Sequence, residues 1–155
     1  RDNLEDIFPY VDVMIASKYI YDHYFTSGNE EDHLKETLSW GPSVAIYTLG
    51  DKGCIGICKD GFFRQEAFPV QVMDTVGAGD VFHGAYACCM AKGMSPIESV
   101  KFSTAVSAIK CTRIGGRAGI PTWEMTEHFL KTGEILGDEL DQRVNYYARG
   151  LEHVL

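Results

Sequence analysis

The sequence lacks the features that define several large classes of protein. No apolar run approaches the length needed to cross a bilayer, which argues against a membrane protein. Basic residues are few: 14 Lys and Arg against 22 Asp and Glu give a formal net charge of −8. That charge argues against a nucleic-acid or anionic-membrane surface. The first residues form no signal peptide, and because the chain begins with Arg1 rather than Met we expect a fragment or a processed product.

Motifs of several catalytic and binding sites are also missing. The histidines are scattered without an H-E-x-x-H pattern, and the five cysteines show no zinc-binding spacing. We expect these cysteines to be buried free thiols and the protein to be cytoplasmic, because cytosolic thiols stay reduced. No Walker-type Gly-Lys-Ser/Thr ending occurs, and Phe82 stands where a dinucleotide-binding fingerprint needs its third glycine.

What remains is the pattern of an α/β domain. With 155 residues and 45% apolar content, the chain has the size of a single domain, residues 1–155. Short apolar runs predict buried strands at residues 11–17 and 43–49, separated by helical segments, as in a parallel sheet with crossover helices. An Asp-Gly turn between residues 54–58 and 62–68 predicts an antiparallel hairpin at the edge of that sheet. Further helices are predicted over residues 80–92, 95–110, 122–130 and 138–148.

The most informative stretch has the sequence DTVGAGD at residues 74–80, which we call the glycine turn. Residues 70–73 are predicted to run extended into it, so that it lies at the end of a strand. Gly77 and Gly79 tolerate positive φ, which lets the backbone N–H groups of residues 77–80 converge on one point. A helix starting at Asp80 adds its unpaired N–H groups and the positive end of its dipole, as in sites that bind phosphate.

Two roles for Asp80 follow from this pattern. A carboxylate beside an anion site is explained if it takes a proton from a hydroxyl that attacks a bound phosphoryl group. The alternative is structural, because Asp is a favoured N-cap residue and glycine-rich turns before helices are common. Local sequence alone leaves both roles open.

Three motifs together resemble the ribokinase-like (PfkB-type) carbohydrate kinases. They are DTVGAGD at residues 74–80, CTRIGGRAGIP at residues 111–121 and TLGDKG at residues 48–53, in the order of that family. The resemblance implies the C-terminal half of a three-layer ribokinase-like fold: a mostly parallel sheet with an antiparallel edge hairpin and helices on both faces. It also implies ATP-dependent phosphorylation of a sugar hydroxyl, and it favours the catalytic role of Asp80.

The resemblance implies a set of site residues. Asp80 is the expected general base, with the amides of Gly77, Ala78 and Gly79 as an anion hole. The residues expected to contact ATP are Thr48, Gly50, Gly53 and Ser103. Magnesium is expected to arrive with ATP, held mainly by phosphates and water. A monovalent cation such as K⁺ is expected on Asp74, Val76, Lys110, Arg113, Gly115 and Gly119.

The sequence also departs from the family pattern. Residues 17–20 read SKYI where many members carry Asn-x-x-Glu, so the usual support for magnesium is absent. The chain is about half of a typical member, and the missing N-terminal half holds the sugar-binding residues and a possible homodimer contact. We therefore expect ATP and a small sugar as partners, and poor activity of the chain alone. The alternatives are a non-catalytic nucleotide-binding fragment, or a kinase of the same family acting on a nucleoside or a vitamin alcohol.

Overall fold

A computed structural model describes residues 6–151 as two compact units, the first ending at Ala67 and the second beginning at Phe68. The single domain expected from chain length stays a prediction, and each unit is described by itself. Within the described residues, no helix is both long enough and apolar enough to cross a bilayer.

The first unit is an α/β sheet unit. Its elements in chain order are β1 Val13–Ser17, α1 Lys18–Tyr24, α2 Glu30–Ser39, β2 Val44–Thr48, β3 Cys54–Cys58 and β4 Gly61–Gln65. Helix α2 begins where Asn29 caps it, since the Asn29 side chain accepts the N–H of Asp32 at 2.9 Å. Leu34 of α2, Tyr47 of β2 and Ile55 of β3 are fully buried together in the core of this unit. The predicted strands, helices and hairpin are all found here.

The order of the four strands is β1-β2-β3-β4, and the pairings are mixed. β1 and β2 are parallel, with Val13 opposite Val44, whereas β2–β3 and β3–β4 are antiparallel. In this part of the chain the sheet is therefore not mostly parallel as predicted. The reason lies in the connections: residues 49–53 and 59–60 are too short for the crossover that parallel strands require.

The second unit consists of helices and loops. Its helices are α3 Ala78–Ala91, α4 Pro96–Cys111, α5 Trp123–Thr132 and α6 Asp138–Leu151. Helix α4 begins with the predicted capping box, in which Ser95 and Glu98 each accept the other's backbone N–H. Thr122 caps α5 by accepting the N–H of Met125 at 3.2 Å. A core of buried side chains from α4, α5 and α6 holds these helices together: Ala105, Ile109, Met125, Phe129 and Leu140.

The segment before the glycine turn is not a strand. Strand β4 ends at Gln65, and residues 70–73 are irregular. The N–H groups of Met73 and Asp74 both donate to the carbonyl of Cys111, at 2.8 and 3.1 Å, instead of to a neighbouring strand. The prediction that the turn lies at the end of a strand is therefore wrong, because the last turn of α4 supplies the acceptor that a sheet was expected to supply.

Gly53 offers a direct test of the first unit. Its φ is +77°, and a Cβ built on it lies 1.9 Å from the carbonyl oxygen of Gln65. We expect Gly53→Ala to lower the free energy of unfolding of the full-length protein by about 2 kcal/mol or more, measured by urea denaturation.

Gly133 provides the matched control for this substitution. Its φ is also +77°, but no atom lies within 4 Å of a Cβ built at that position. Gly133→Ala gives the cost of an ordinary left-handed residue, with ψ −1°, about 1 kcal/mol, whereas ψ at Gly53 is −124°. Equal losses in the two variants would mean that the close approach to Gln65 is unimportant.

Candidate active site

The glycine turn leads directly into helix α3, which begins earlier than predicted. Gly77 is the N-cap residue with φ +75°, and the helix starts at Ala78. Asp80 is therefore the third helical residue and not the first. Because Gly77 occupies the capping position, the alternative in which Asp80 caps the helix is wrong.

The backbone N–H groups at the start of α3 differ in their availability. The N–H of Ala78 donates to the carbonyl of Thr75 at 3.0 Å, and that of Val81 to Gly77 at 2.9 Å. Within residues 6–151, no acceptor receives the N–H groups of Gly79 and Asp80. Unpaired donors of this kind at a helix N-terminus favour an anion. The Asp80 side chain is exposed beside them.

The Asp74 carboxylate ties the glycine turn to the loop that follows α4. One carboxylate oxygen accepts the N–H of Val76 at 2.8 Å, and the other accepts the N–H of Gly115 at 2.7 Å. These two backbone hydrogen bonds, with a smaller contribution from the charge of Lys110, hold the pKa of Asp74 below its usual value. Asp74 thus links two segments that are 41 residues apart in the chain.

Lys110, on the last turn of α4, contacts the glycine turn through its side chain. The residue is fully buried, and its Nζ donates to the carbonyl of Asp74 at 3.0 Å. A buried ammonium group needs polar partners, and the glycine turn provides them. The resemblance pointed only to the backbone carbonyl of this residue, so the role of the side chain was missed.

The oxygen atoms expected to hold a monovalent cation belong to these same two segments. No hydrogen bond from the described residues reaches the carbonyls of Val76, Arg113 and Gly115. A Cβ at Gly119 would lie 2.4 Å from the carbonyl oxygen of Lys110, so only glycine fits beside that oxygen, which accepts the N–H of Arg113 at 3.2 Å. A set of carbonyls with one carboxylate fits a weakly hydrated monovalent ion. No group of three or more His, Cys, Asp or Glu side chains in residues 6–151 is placed to hold a metal.

A cavity of about 680 Å³ opens beside Asp80, between α3, α4 and the start of α5. Its walls are mainly apolar, and the rings of Phe102 and Trp123 stack there with their centroids 4.0 Å apart. Gly77, Asp80, Gly116 and Arg117 line the same cavity. The aromatic pair and Arg117 were not identified from the sequence, where Phe102 and Trp123 are ordinary core residues at helical spacing.

The residues expected to contact ATP lie in different surroundings. In the first unit, the Thr48 hydroxyl donates to the carbonyl of Ala16 at 3.4 Å, Gly50 is exposed with φ +64°, and Gly53 is required by packing. In the second unit, Ser103 is fully buried and its hydroxyl donates to the carbonyl of Ser99 at 2.7 Å. Ser103 therefore does not line the cavity.

The cysteines differ in burial, and Cys88 lines the cavity beside Asp80. Cys54, Cys58, Cys89 and Cys111 are buried free thiols as predicted, whereas Cys88 is exposed on α3. Burial raises the pKa of Cys89 to about 11 and raises that of Cys111 above its usual value. Burial thus disfavours the reactive thiolate form at both positions.

The lowered pKa of Asp74 predicts a pH dependence of stability. A carboxyl group whose pKa falls on folding stabilises the protein above its unfolded pKa, and this contribution is lost as pH falls through the folded pKa. We expect Asp74→Asn to lower the urea midpoint at neutral pH, with the gap from wild type narrowing well below pH 3.8, the ordinary aspartate value. An equal gap at both pH values would contradict this role.

Comparisons with known proteins identify the family. The profile of the pfkB family carbohydrate kinases matches residues 1–123. Fructokinase-1 of Zea mays is 31% identical over 131 residues, which cover 79% of this chain and 40% of that protein. The chain thus spans less than half the length of this curated relative.

Superposition on solved structures points to the same family. Ribokinase from Thermotoga maritima superposes with a TM-score of 0.75 and 34% identity, over 85% of this chain and 46% of the other. A putative ribokinase II from E. coli, solved in complex with ATP and Mg²⁺, gives a TM-score of 0.76 and 25% identity over 84% of this chain and 42% of the other. These matches confirm the α/β class and the ribokinase-like fold predicted from the motifs. The chain belongs to the pfkB family of carbohydrate kinases.

Proposed function

We propose that this chain carries the phosphoryl-transfer site of an ATP-dependent sugar kinase. The observation that supports it is the placement of Asp80, an exposed carboxylate next to two unpaired backbone N–H groups and on the wall of an open cavity. An anion site with a base beside it suits the attack of an alcohol on a phosphoryl group.

In the proposed reaction, Asp80 takes the proton of a sugar hydroxyl as its oxygen attacks the terminal phosphorus of ATP. The bond from that phosphorus to the bridging oxygen breaks, and ADP leaves. The N–H groups of Gly77, Gly79 and Asp80 stabilise the charge on the transferring group. Loss of one such donor costs about 3 kcal/mol in the transition state. The N–H of Ala78 does not take part in this stabilisation because it already donates to the carbonyl of Thr75.

ATP is the proposed phosphoryl donor, with Mg²⁺ bound mainly to its phosphates and to water. The complex of a putative ribokinase II from E. coli with ATP and Mg²⁺ supports this assignment. Thr48 and Gly50 are the proposed nucleotide contacts in the first unit, with Gly53 shaping the turn. Ser103 is not retained as a side-chain contact because it is buried. The cytoplasmic location and the homodimer remain predictions from the sequence.

The general-base role is tested with Asp80→Asn in the full-length protein. The substitution keeps the size of the side chain but removes its basicity, so we expect turnover with ATP and a sugar to fall roughly 10²–10⁴-fold. ATP binding, measured by calorimetry, should be retained. Asp138→Asn, an exposed acid in the first turn of α6, is the matched control and should keep full turnover.

The sugar itself is to be found by screening acceptors with the wild-type protein. Sugars, nucleosides and vitamin alcohols would be compared under the same conditions.

Unchanged turnover in Asp80→Asn would refute the base assignment. Tight ATP binding without transfer to any acceptor would instead favour a non-catalytic nucleotide-binding protein.

We further propose a monovalent cation on Asp74, Val76, Lys110, Arg113, Gly115 and Gly119. K⁺ supplies positive charge that holds the loop after α4 against the glycine turn. The buried ammonium group of Lys110 adds a like charge nearby, so we expect K⁺ to bind weakly.

This cation site predicts a selective effect of K⁺ on stability. The thermal midpoint should be higher in potassium chloride than in tetramethylammonium chloride at equal ionic strength, because an ion that binds only the folded state stabilises it. Asp74→Asn should abolish the difference. Identical midpoints of the wild type in the two salts would argue against the site.

A further inference from the structure

Arg117 is the positive charge in the cavity beside Asp80. Of the residues that line this cavity, Asp80 and Arg117 are the charged ones, and most of the wall is apolar. The Arg117 side chain is exposed. The carboxylate of Asp80 lies too far from it for an ion pair, since no salt bridge joins these two described residues. The cavity therefore presents a base and a cation that do not neutralise each other directly.

Apart from Arg149, which is exposed on α6 and likewise pairs with no carboxylate within residues 6–151, the other arginines of the described chain behave differently. Three of them form ion pairs with carboxylates: Arg64 with Glu30, Arg113 with Asp141, and Arg143 with Glu139. Within residues 6–151, no carboxylate pairs with Arg117, although the chain as a whole carries a net charge of −8. A guanidinium group is a planar donor suited to the oxygens of carboxylates and phosphates. An unpaired one in a largely apolar cavity points to an anionic ligand.

The backbone that carries Arg117 is held in place next to the anion site. A Cβ built on Gly77 would lie 3.6 Å from the Cα of Gly116, so these two segments are in close contact. The carbonyl of Arg117 accepts the N–H of Ile120 at 3.1 Å, and the carbonyl of Ile120 accepts a hydrogen bond from Arg143 at 2.6 Å. Arg117 is thus positioned by its loop, whereas its side chain remains available.

We propose that Arg117 contacts the phosphoryl group as it is transferred, which rests on the proposed kinase function. The free amides of Gly79 and Asp80 reach the group from the helix, and the guanidinium group reaches its equatorial oxygens from the loop. Negative charge on these oxygens needs neutralising during transfer, and a guanidinium group can donate to two of them at once. Arg117 keeps its positive charge throughout and exchanges no proton.

The test uses Arg117→Gln in the full-length protein. We expect kcat to fall roughly 10²-fold or more, with the KM of the sugar changed less than about threefold. Arg117→Lys, which keeps the charge but loses the planar fork, should recover part of the loss. In calorimetry, Arg117→Gln should bind ADP as the wild type does and bind ATP more weakly. Lys101→Gln removes an exposed positive charge from α4, outside the cavity, and should retain the wild-type kcat.

The outcomes separate this inference from the kinase assignment. If the wild type transfers phosphate and Arg117→Gln keeps its kcat, then Arg117 does not contact the transferring group while the kinase assignment stands. A raised KM for a phosphorylated acceptor with unchanged kcat would also overturn the inference, because Arg117 would then bind the acceptor. If the wild type transfers phosphate to no alcohol, the kinase assignment fails and the role of Arg117 fails with it. Equal thermal midpoints of the variants would show that folding is intact.

Discussion

The hydrogen bonds of the Asp74 carboxylate are the interaction on which the site depends. By accepting the N–H groups of Val76 and Gly115, this one side chain fixes the glycine turn and the loop after α4 in a single arrangement. The Lys110 ammonium group strengthens it from the buried side by bonding to the Asp74 carbonyl. The groups that hold the turn bond to other atoms of it, so the amides of Gly79 and Asp80 stay unpaired. The donors of the proposed anion site are therefore in place before any ligand arrives, as the proposed electrostatic catalysis requires.

The sequence predicted the elements of the fold well where local chemistry determines them. The Asp-Gly hairpin, the capping box at Ser95 and the cap at Thr122 are all found. The pairing of the sheet was less predictable, because an apolar run indicates burial but not the direction of its neighbour. Residues 70–73 resemble a strand in composition, yet the N–H groups of Met73 and of the following Asp74 donate to the end of α4. That acceptor lies nearly 40 residues further along the chain, where local patterns carry no information.

In the site, too, local features could be predicted from the sequence, whereas features set by distant contacts could not. The glycine turn and the position of Asp80 beside it could be identified from residue types and spacing. The start of α3 could not, because the left-handed Gly77 caps the helix where an aspartate was the expected alternative. Ser103 was placed near ATP by analogy, but no local pattern indicates that its hydroxyl bonds back to its own helix. Lys110 and Arg117 were missed as side chains because burial and cavity lining are properties of the packed structure.

A crystal structure of the full-length protein with a non-hydrolysable ATP analogue and an acceptor sugar tests the proposed site most directly. We predict that the terminal phosphate accepts hydrogen bonds from the N–H groups of Gly79 and Asp80. The acceptor hydroxyl should lie within about 3 Å of the Asp80 carboxylate. A terminal phosphate bound away from the glycine turn, with Asp80 directed away from the acceptor, would contradict the account.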